Sequence, residues 1–305
     1  MGRRETPLGE EMKQNTLDRA PIVPASRADG PRADARPADV HVRLAGINKY
    51  FATSAGGPKG VHALGPISLE LGRGEFFSVV GPSGCGKSTL LDIIAGLNTP
   101  TDGEASVSGK PVRGQVPDDV GVVFQEDSSF PWLTVRENIA FGLKRQGVDT
   151  QEAAHRIDQA LTLMTLQDFA QAYPAQLSGG MRQRVCIART LVLKPSLILL
   201  DEPFGALDQQ TRLLMGDEVL NLWRATNATI LLITHSLDEA AMLSDRVGVM
   251  SARPGRFLDV VETGWARERD STLASEAGFG QLIAHLWSLL RDQSKQAMMP
   301  QPPKT

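Results

Sequence analysis

The chain has 305 residues, a net charge of −3 at neutral pH and two cysteines, Cys85 and Cys186. Nucleic-acid-binding domains are usually basic, so this charge balance predicts no nucleic-acid partner. Two cysteines cannot form the disulfide framework of a small secreted protein, and we expect reduced thiols in a cytosolic chain. No apolar run approaches the roughly 20 residues that a membrane-spanning helix needs. Any membrane span must therefore come from another polypeptide.

Residues 1–39 are rich in Pro, Ala, Arg, Asp and Gly and show no helical or strand periodicity. This composition predicts a disordered tail. A basic arm that anchors the chain is the alternative, which the interspersed acidic residues weaken.

From residue 40 onward, apolar and polar residues alternate as they do in β-strands. Helical spacing of apolar residues over 135–144 and 153–166 then predicts a helical insert, which we place at about 126–178. Beyond the insert, helix-like and apolar strand-like segments alternate up to about residue 250. That alternation is typical of an α/β fold in which helices cover both faces of a mostly parallel sheet.

A last amphipathic segment follows, and its apolar residues share one helical face: Phe279, Leu282, Ile283, Leu286, Leu289 and Leu290. We expect this stripe to pack on the body of the protein; a partner-binding helix is the alternative. The sequence thus divides into a tail at 1–39, a main domain at 40–265, and a helical extension with a loose end at 266–305.

The strongest motif is a glycine-rich segment between a strand-like run and a helix-like run. It fits the phosphate-loop pattern G-x-x-x-x-G-K-[ST] in full and consists of Gly81, Pro82, Ser83, Gly84, Cys85, Gly86, Lys87, Ser88 and Thr89. Its glycines let backbone N–H groups face phosphate oxygens, and the following helix adds a favourable dipole. We expect Lys87 to reach the β- and γ-phosphates and Ser88 to hold Mg²⁺. The motif therefore predicts a nucleoside triphosphate site.

Two carboxylates, Asp201 and Glu202, end a fully apolar strand-like run at residues 197–200. Ligands of open α/β sheets bind at the carboxyl ends of the strands. We therefore expect Asp201 to bind Mg²⁺, directly or through water. Glu202 lies one residue further out, where it is the candidate general base for a water that attacks the γ-phosphate.

A second candidate anion site precedes this strand. Ser178 is a good N-cap residue, and Gly179 and Gly180 follow it at the start of a predicted helix. Free N–H groups and the positive end of the helix dipole favour an anion at such a position.

These segments together resemble the nucleotide-binding subunit of ATP-binding cassette (ABC) transporters. The matching pieces, in the family order, are the phosphate loop, Gln125 at a strand end, the signature LSGGM at 177–181, the pair Asp201 and Glu202, the segment GALD at 205–208, and His235. The resemblance spans about residues 40–253. It implies a P-loop NTPase fold with a mostly parallel core sheet, an N-terminal antiparallel β subdomain and a helical insert.

The resemblance also implies roles in binding and hydrolysing ATP. Phe51, or failing that its neighbour Tyr50, would stack on the adenine ring; a core aromatic is the alternative for either. Gln125 would contact Mg²⁺ or the attacking water, although a surface glutamine at a strand end is a serious rival. His235 would contact the γ-phosphate, whereas a lone histidine is more often structural. Catalysis would therefore depend on Glu202, His235 and Lys87.

Partners follow from the same resemblance. The signature residues of one subunit would close over the ATP held by a second copy, so that the chain works as a homodimer; these residues are Ser178, Gly179, Gly180 and Met181. Asp208 would lie at the dimer interface. The dimer would drive separate transmembrane permease subunits as a peripheral protein at the cytoplasmic face of the inner membrane, and a solute-binding protein would act indirectly.

Segments 124–126 and 130–135, together with Met181, resemble importers of nitrate, sulfonates, taurine and related small anions. Phe130, Trp132 and Leu133 would face a cleft in which a permease helix docks; ordinary packing of the insert is an equal alternative.

Two other functional classes compete with an importer ATPase. A soluble ABC ATPase, such as a translation or DNA-repair factor, usually has two cassettes or a long coiled coil, whereas this chain has one cassette and no sustained heptads. A regulatory subunit without turnover is disfavoured by the joint presence of Lys87, Asp201, Glu202 and His235.

Overall fold

The structure is a computed structural model, which describes residues 40–52, 60–126 and 128–298, without the side chain of Met298. The tail predicted at 1–39 and the loose end predicted after the last helix lie outside these residues.

Ten strands in the described part of the chain form two sheets. The strands are β1 (Val40–Phe51), β2 (Val61–Gly72), β3 (Phe76–Val80), β4 (Asp102–Val107), β5 (Lys110–Pro111), β6 (Val120–Val123), β7 (Leu197–Asp201), β8 (Thr229–Ile233), β9 (Arg246–Met250) and β10 (Phe257–Glu262). The smaller sheet is antiparallel in the order β2-β1-β4-β5. The larger sheet has the order β10-β9-β3-β8-β7-β6 and is parallel except for β10. The predicted combination of a mostly parallel core with an N-terminal antiparallel sheet is confirmed.

Seven α-helices belong to the described residues. They are α1 (Lys87–Ile94), α2 (Val135–Gln146), α3 (Thr150–Leu163), α4 (Gly179–Leu191), α5 (Gln209–Thr226), α6 (Leu237–Leu243) and α7 (Ala277–Met298). Helices α2 and α3 form the predicted helical insert and pack against α4. No helix in the described ranges is long and apolar enough to cross a membrane.

Strands β3, β7 and β8 are buried along their whole length. Their sequences contain almost no polar residues because helices or the second sheet cover both faces. Since β3, β8, β7 and β6 are parallel neighbours, the segments that follow them meet at one edge of the sheet. The phosphate loop, His235, Glu202 and Gln125 each follow one of these strands, and this places them along a common edge.

The C-terminal stripe packs on the core, as the sequence predicts. Phe279, Leu286 and Leu290 are buried in the same apolar cluster as strands β7 and β8, and the other three members are partly buried against it. The division between a domain at 40–265 and an extension at 266–305 remains a prediction.

Several sequence-based boundaries were wrong. Helix α3 begins at Thr150 because Asp149 accepts hydrogen bonds from the N–H groups of Gln151 and Glu152. It ends at Leu163, and Thr165 already has a left-handed φ of 54°. Strands β4 and β10 were not predicted. Strand β4 is held by pairing with β1, far back in the chain, whereas β10 pairs with the adjacent strand β9 and has a half-exposed sequence without clear apolar alternation.

The sequence Ser236-Leu237-Asp238-Glu239 has the S-x-x-E pattern that predicts a capping box at the start of α6, and this box forms only in part. The hydroxyl of Ser236 accepts a hydrogen bond from the N–H of Glu239, as expected. The carboxylate of Glu239, however, accepts a hydrogen bond from the Thr234 hydroxyl and forms an ion pair with Arg212. Tertiary partners have therefore replaced the local bond back to Ser236.

The packing of α7 gives a direct test of this fold. Leu286 is 0% exposed, whereas its neighbour Trp287 is 53% exposed. We expect Leu286→Ala to lower the free energy of unfolding by about 2–5 kcal/mol, because it leaves a cavity in the core. The matched control Trp287→Ala should change it by less than about 1 kcal/mol. Urea denaturation followed by circular dichroism measures both, and equal losses would contradict this placement of α7.

Candidate nucleotide-binding site

The phosphate loop joins β3 to α1 and presents an uncapped helix N-terminus. Gly86 is the N-cap residue of α1, no side chain caps the helix, and its first turn contains no acidic residue. Gly84 and Gly86 have φ values of 72° and 107°, where other residues are strained. A Cβ atom at position 86 would lie 2.5 Å from a methyl carbon of Leu64. The free N–H groups and the helix dipole make this loop suited to bind an anion.

Lys87 occupies the first position of α1 and is only 7% exposed. Its Nζ donates hydrogen bonds to the carbonyl oxygens of Gly81 (2.9 Å) and Pro82 (3.2 Å). The ammonium group is therefore held inside the loop, where it can meet phosphate oxygens with little loss of side-chain entropy.

Asp201 ends β7 as a buried carboxylate. Its Oδ1 atom is buried and has no hydrogen-bond partner within the described residues. Burial raises the pKa of Asp201, and a hydrogen bond from Ser88 partly opposes this shift. A buried carboxylate oxygen with an open coordination position, next to a hydroxyl, fits Mg²⁺, which usually binds to one or two such groups and to substrate phosphates.

Glu202 follows Asp201 in a left-handed backbone conformation, with φ of 46°. This conformation costs an L-residue about 1–2 kcal/mol. The N–H of Glu202 donates to the carbonyl of Ile233 (2.9 Å), and its own carbonyl accepts from Gly205 (3.2 Å). Such strain persists where surrounding contacts hold it, and it commonly occurs at functional sites.

The Glu202 carboxylate brings together two predicted site residues from neighbouring strands. Gln125 donates a hydrogen bond from Nε2 to Oε2 of Glu202 (3.2 Å), and Nδ1 of His235 lies 3.1 Å from the same oxygen. These three side chains line an open cleft of about 300 Å³ together with Gln183, Gly205 and Ala206. A water in this cleft would have a carboxylate, an amide and an imidazole within its reach.

The signature residues lie at the start of α4. Ser178 is the N-cap residue, and its hydroxyl accepts a hydrogen bond from the N–H of Met181 (3.3 Å). Ser178 and Gly179 are exposed, whereas Met181 packs against the core. The start of this helix is therefore accessible to a second molecule.

Asp208 caps α5, a role that the sequence did not indicate. Its carboxylate accepts hydrogen bonds from the Thr211 hydroxyl (2.6 Å) and from the N–H groups of Thr211 and Gln210. The Thr211 hydroxyl and N–H lower the pKa of Asp208, so it stays ionised. This exposed charge orders the chain just after the carboxylate strand.

Phe51 and Tyr50, the two candidates for adenine stacking, differ in environment. The Tyr50 ring stacks on His62, with centroids 4.2 Å apart and planes 8° apart. Phe51 is 39% exposed at the end of β1, and Nζ of Lys49 lies 5.1 Å from its ring centroid. The stacked Tyr50 is less available, which favours Phe51.

Two buried polar residues shape the surroundings of the site: sequence reasoning missed Asn138 and assigned Glu239 only a local capping role. Asn138 is fully buried in α2 and donates from Nδ2 to the carbonyls of Phe130, Leu133 and Thr134, while its Oδ1 accepts from the N–H of Phe130. Glu239 ties α6 to α5 through Arg212. The sequence signal for Asn138 was its place on the apolar face of a predicted helix, because a buried amide there must find hydrogen-bond partners.

A phosphate loop with an uncapped helix N-terminus, a buried carboxylate and a carboxylate-centred cleft at one sheet edge define a P-loop nucleotide hydrolase. The ABC transporter family model matches residues 64–205. The nitrate import ATP-binding protein of Synechocystis is 46% identical over 71% of this chain and 80% of its own length. The taurine import ATP-binding protein of Roseobacter denitrificans is 49% identical over 66% of this chain and 75% of its own length.

A solved dimeric structure of the ATP-binding cassette MJ0796, in a post-hydrolysis state with ADP and Pi, superposes with a TM-score of 0.65. It is 31% identical and covers 73% of this chain and 98% of its own. The chain belongs to the ABC transporter family. As an ABC-type ATPase it binds ATP, and the fold predicted from the sequence is confirmed.

The buried charge of Asp201 gives a pH-dependent test. Because burial raises the folded pKa above the unfolded value, the folded chain binds this proton more tightly, and ionisation destabilises the ligand-free fold. We expect Asp201→Asn to raise the urea midpoint at pH 8. The gain should shrink as the pH is lowered through the raised pKa toward the ordinary range of Asp.

The matched control is Asp118→Asn, which removes an exposed carboxylate and should leave the midpoint nearly unchanged at both pH values. A lower midpoint for Asp201→Asn at pH 8 would contradict a destabilising buried charge.

Proposed function

We propose that two copies of this chain bind ATP and Mg²⁺ between them and hydrolyse the ATP to power uptake of a small anion through a separate permease. The observation that carries the proposal is the Glu202 carboxylate, which Gln125 and His235 both contact at the edge where the phosphate loop lies. This arrangement suits removal of a proton from a water that attacks the γ-phosphate.

In this proposal the phosphate loop and Lys87 bind the triphosphate, while Ser88, Asp201 and Gln125 hold Mg²⁺. The ion would neutralise developing charge on the phosphates. Glu202 is the general base, and His235 contacts the γ-phosphate and orients Glu202. Phe51 stacks on adenine.

The exposed signature helix supports a homodimer. Ser178 and Gly179 face solvent in a single chain, and a related cassette with ADP and Pi is dimeric. In the dimer, Ser178, Gly179, Gly180 and Met181 of one subunit would close over the γ-phosphate bound to the other, with Asp208 at the interface. Loss of the γ-phosphate contacts on hydrolysis would reopen the pair.

An aromatic surface on the helical insert supports docking of a permease helix. Trp132 is 70% exposed, and Phe141 is 51% exposed. The Phe130 ring lies 5.6 Å from Trp132 and 4.5 Å from Phe141, and the Arg189 guanidinium lies 4.8 Å from it. Exposed aromatic clusters of this kind mark interaction sites more often than free surface.

The related nitrate and taurine import proteins favour a small solute with an anionic group, such as nitrate or a sulfonate. A solute-binding protein would carry this solute to the permease. The chain would then be peripheral at the cytoplasmic face of the inner membrane. Within it, residues 40–265 form the ATPase domain, and 266–305 form the extension. No feature of the described residues favours a soluble ABC ATPase over an importer subunit.

Glu202→Gln separates binding from hydrolysis. We expect it to retain ATP binding and to lower phosphate release roughly 10²–10⁴-fold, the range for loss of a general base. ATP should then hold the variant as a dimer, measured by light scattering. Glu262→Gln, an exposed carboxylate on β10, is the control and should keep normal turnover. Normal turnover in Glu202→Gln would remove Glu202 from its role.

Reconstitution with its permease and solute-binding protein tests coupling and solute class. We expect nitrate, taurine or another small anion to stimulate ATP hydrolysis in proteoliposomes. Trp132→Ala should reduce this stimulation while leaving the basal hydrolysis of the isolated chain unchanged, because Trp132 lies outside the nucleotide cleft. Leu97→Ala, another exposed apolar residue, is the control. Full coupling in Trp132→Ala would argue against this docking surface.

A further inference from the structure

A short turn between β9 and β10 is tied together by its own hydrogen bonds. The N–H of Ser251 donates to the carbonyl of Arg256 (2.9 Å), and the Ser251 hydroxyl accepts from the N–H of Arg256 (3.1 Å). The same hydroxyl lies within hydrogen-bond distance of the Pro254 carbonyl (3.1 Å). Ser251 is buried, so these bonds are protected from water. The turn is therefore a defined element, and residues 251–256 are called the β9–β10 turn below.

The β9–β10 turn packs against strand β2 and the outer side of the phosphate loop. The N–H of Gly255 donates to the carbonyl of Ala63 (3.0 Å), and its carbonyl accepts from the N–H of Gly65 (2.9 Å). A Cβ atom at position 255 would lie 2.0 Å from the carbonyl oxygen of Cys85. Only glycine permits this close approach.

Arg253 reaches from this turn to the phosphate loop itself. Its Nε and Nη2 atoms both donate to the carbonyl oxygen of Gly84, at 3.2 Å and 2.9 Å. In a trans peptide the C=O and the following N–H point in opposite directions. Fixing the Gly84 carbonyl outward therefore directs the N–H of Cys85 into the loop, where it donates to the Pro82 carbonyl (3.3 Å). Gly84 has a φ of 72° and no side chain of its own to hold this peptide plane.

The C-terminal helix supports the same turn. The Oε1 atom of Gln293 in α7 accepts a hydrogen bond from the N–H of Ala252 (2.9 Å). Helix α7 is anchored in the core by Phe279, Leu286 and Leu290. A continuous path of contacts thus runs from the buried face of α7 through the turn to Gly84.

We propose that Arg253 is a positioning residue of the phosphate-binding loop and that α7 supports it through Gln293. Arg253 fixes the peptide between Gly84 and Cys85, so that the loop is ordered before nucleotide arrives. Binding then requires less ordering of the backbone. This inference rests on the proposed function, because it concerns the affinity of the same loop for MgATP.

The first experiment measures the Kd of MgATP by calorimetry with the full chain in the Glu202→Gln background, which prevents turnover. We expect Arg253→Gln to weaken binding about three- to tenfold, as for loss of an exposed charge-assisted hydrogen bond. Arg256→Gln makes the same charge change in an exposed side chain of the same turn and should leave the Kd unchanged. Arg253→Lys, which keeps one charged donor, should fall between wild type and Arg253→Gln.

Steady-state kinetics in the otherwise wild-type chain distinguishes positioning of the loop from general damage. Arg253→Gln should raise KM for ATP with little change in kcat, since Arg253 takes no part in the chemical step. Gln293→Ala should weaken binding in the same direction, and its effect should be smaller in the presence of Arg253→Gln because both act through one turn. Gln281→Ala, exposed on the same helix, is its control.

If the parent chain binds MgATP, equal Kd values for Arg253→Gln and Arg256→Gln would overturn the inference. A loss of kcat without a change in KM would also overturn it. If the parent chain itself bound no MgATP, the proposed function would fail instead. If Arg253→Gln does not fold, Arg253→Lys serves as the test instead. Positioning through this turn would be contradicted if Arg253→Lys left both Kd and KM unchanged and Gln293→Ala also left the Kd unchanged.

Discussion

The site depends on an unsatisfied helix N-terminus held open at the edge of a buried parallel sheet. Helix α1 has no side-chain cap and no acidic residue in its first turn, and its N-cap is a left-handed glycine. Free N–H groups at such a position favour a bound anion, which supplies the acceptors that the protein leaves out. The buried Lys87 adds a positive charge at the same point.

The two carboxylates of the site, Asp201 and Glu202, lower the stability of the ligand-free chain. Burial of Asp201 raises its pKa, and Oδ1 has no partner in the described part of the protein. Glu202 is held in a strained left-handed conformation by backbone bonds from neighbouring segments. Both features destabilise the ligand-free chain slightly and suit a bound Mg²⁺ ion and an attacking water, so stability has been exchanged for preorganised chemistry.

Local patterns predicted most of the fold and most of the candidate site. The phosphate loop and the apolar strand before Asp201 are each a continuous segment whose structure depends on its own residues, so the sequence predicts both. The β9–β10 turn depends on contacts with segments almost 200 residues away, such as Ala63 and Gly65, and no local pattern encodes these. Strand β10 pairs with the neighbouring strand β9, but its half-exposed sequence has no clear apolar alternation. The capping box of α6 forms only in part because Thr234 and Arg212 hold the Glu239 carboxylate.

Gln125 gives the proposed mechanism a physical route from nucleotide to partner. It follows β6 and contacts Glu202, while the chain just beyond it leads to Phe130, whose backbone Asn138 clamps on both sides. A change at Glu202 when the γ-phosphate leaves would alter the Gln125 contact directly. The Asn138 hydrogen bonds hold residues 130–134 to α2 as one unit. A shift at the start of this segment would therefore move the aromatic surface as a rigid unit. In the proposed coupling, the buried Asn138 would therefore matter as well as the exposed Trp132, since an aromatic surface on a loose loop could not transmit that displacement.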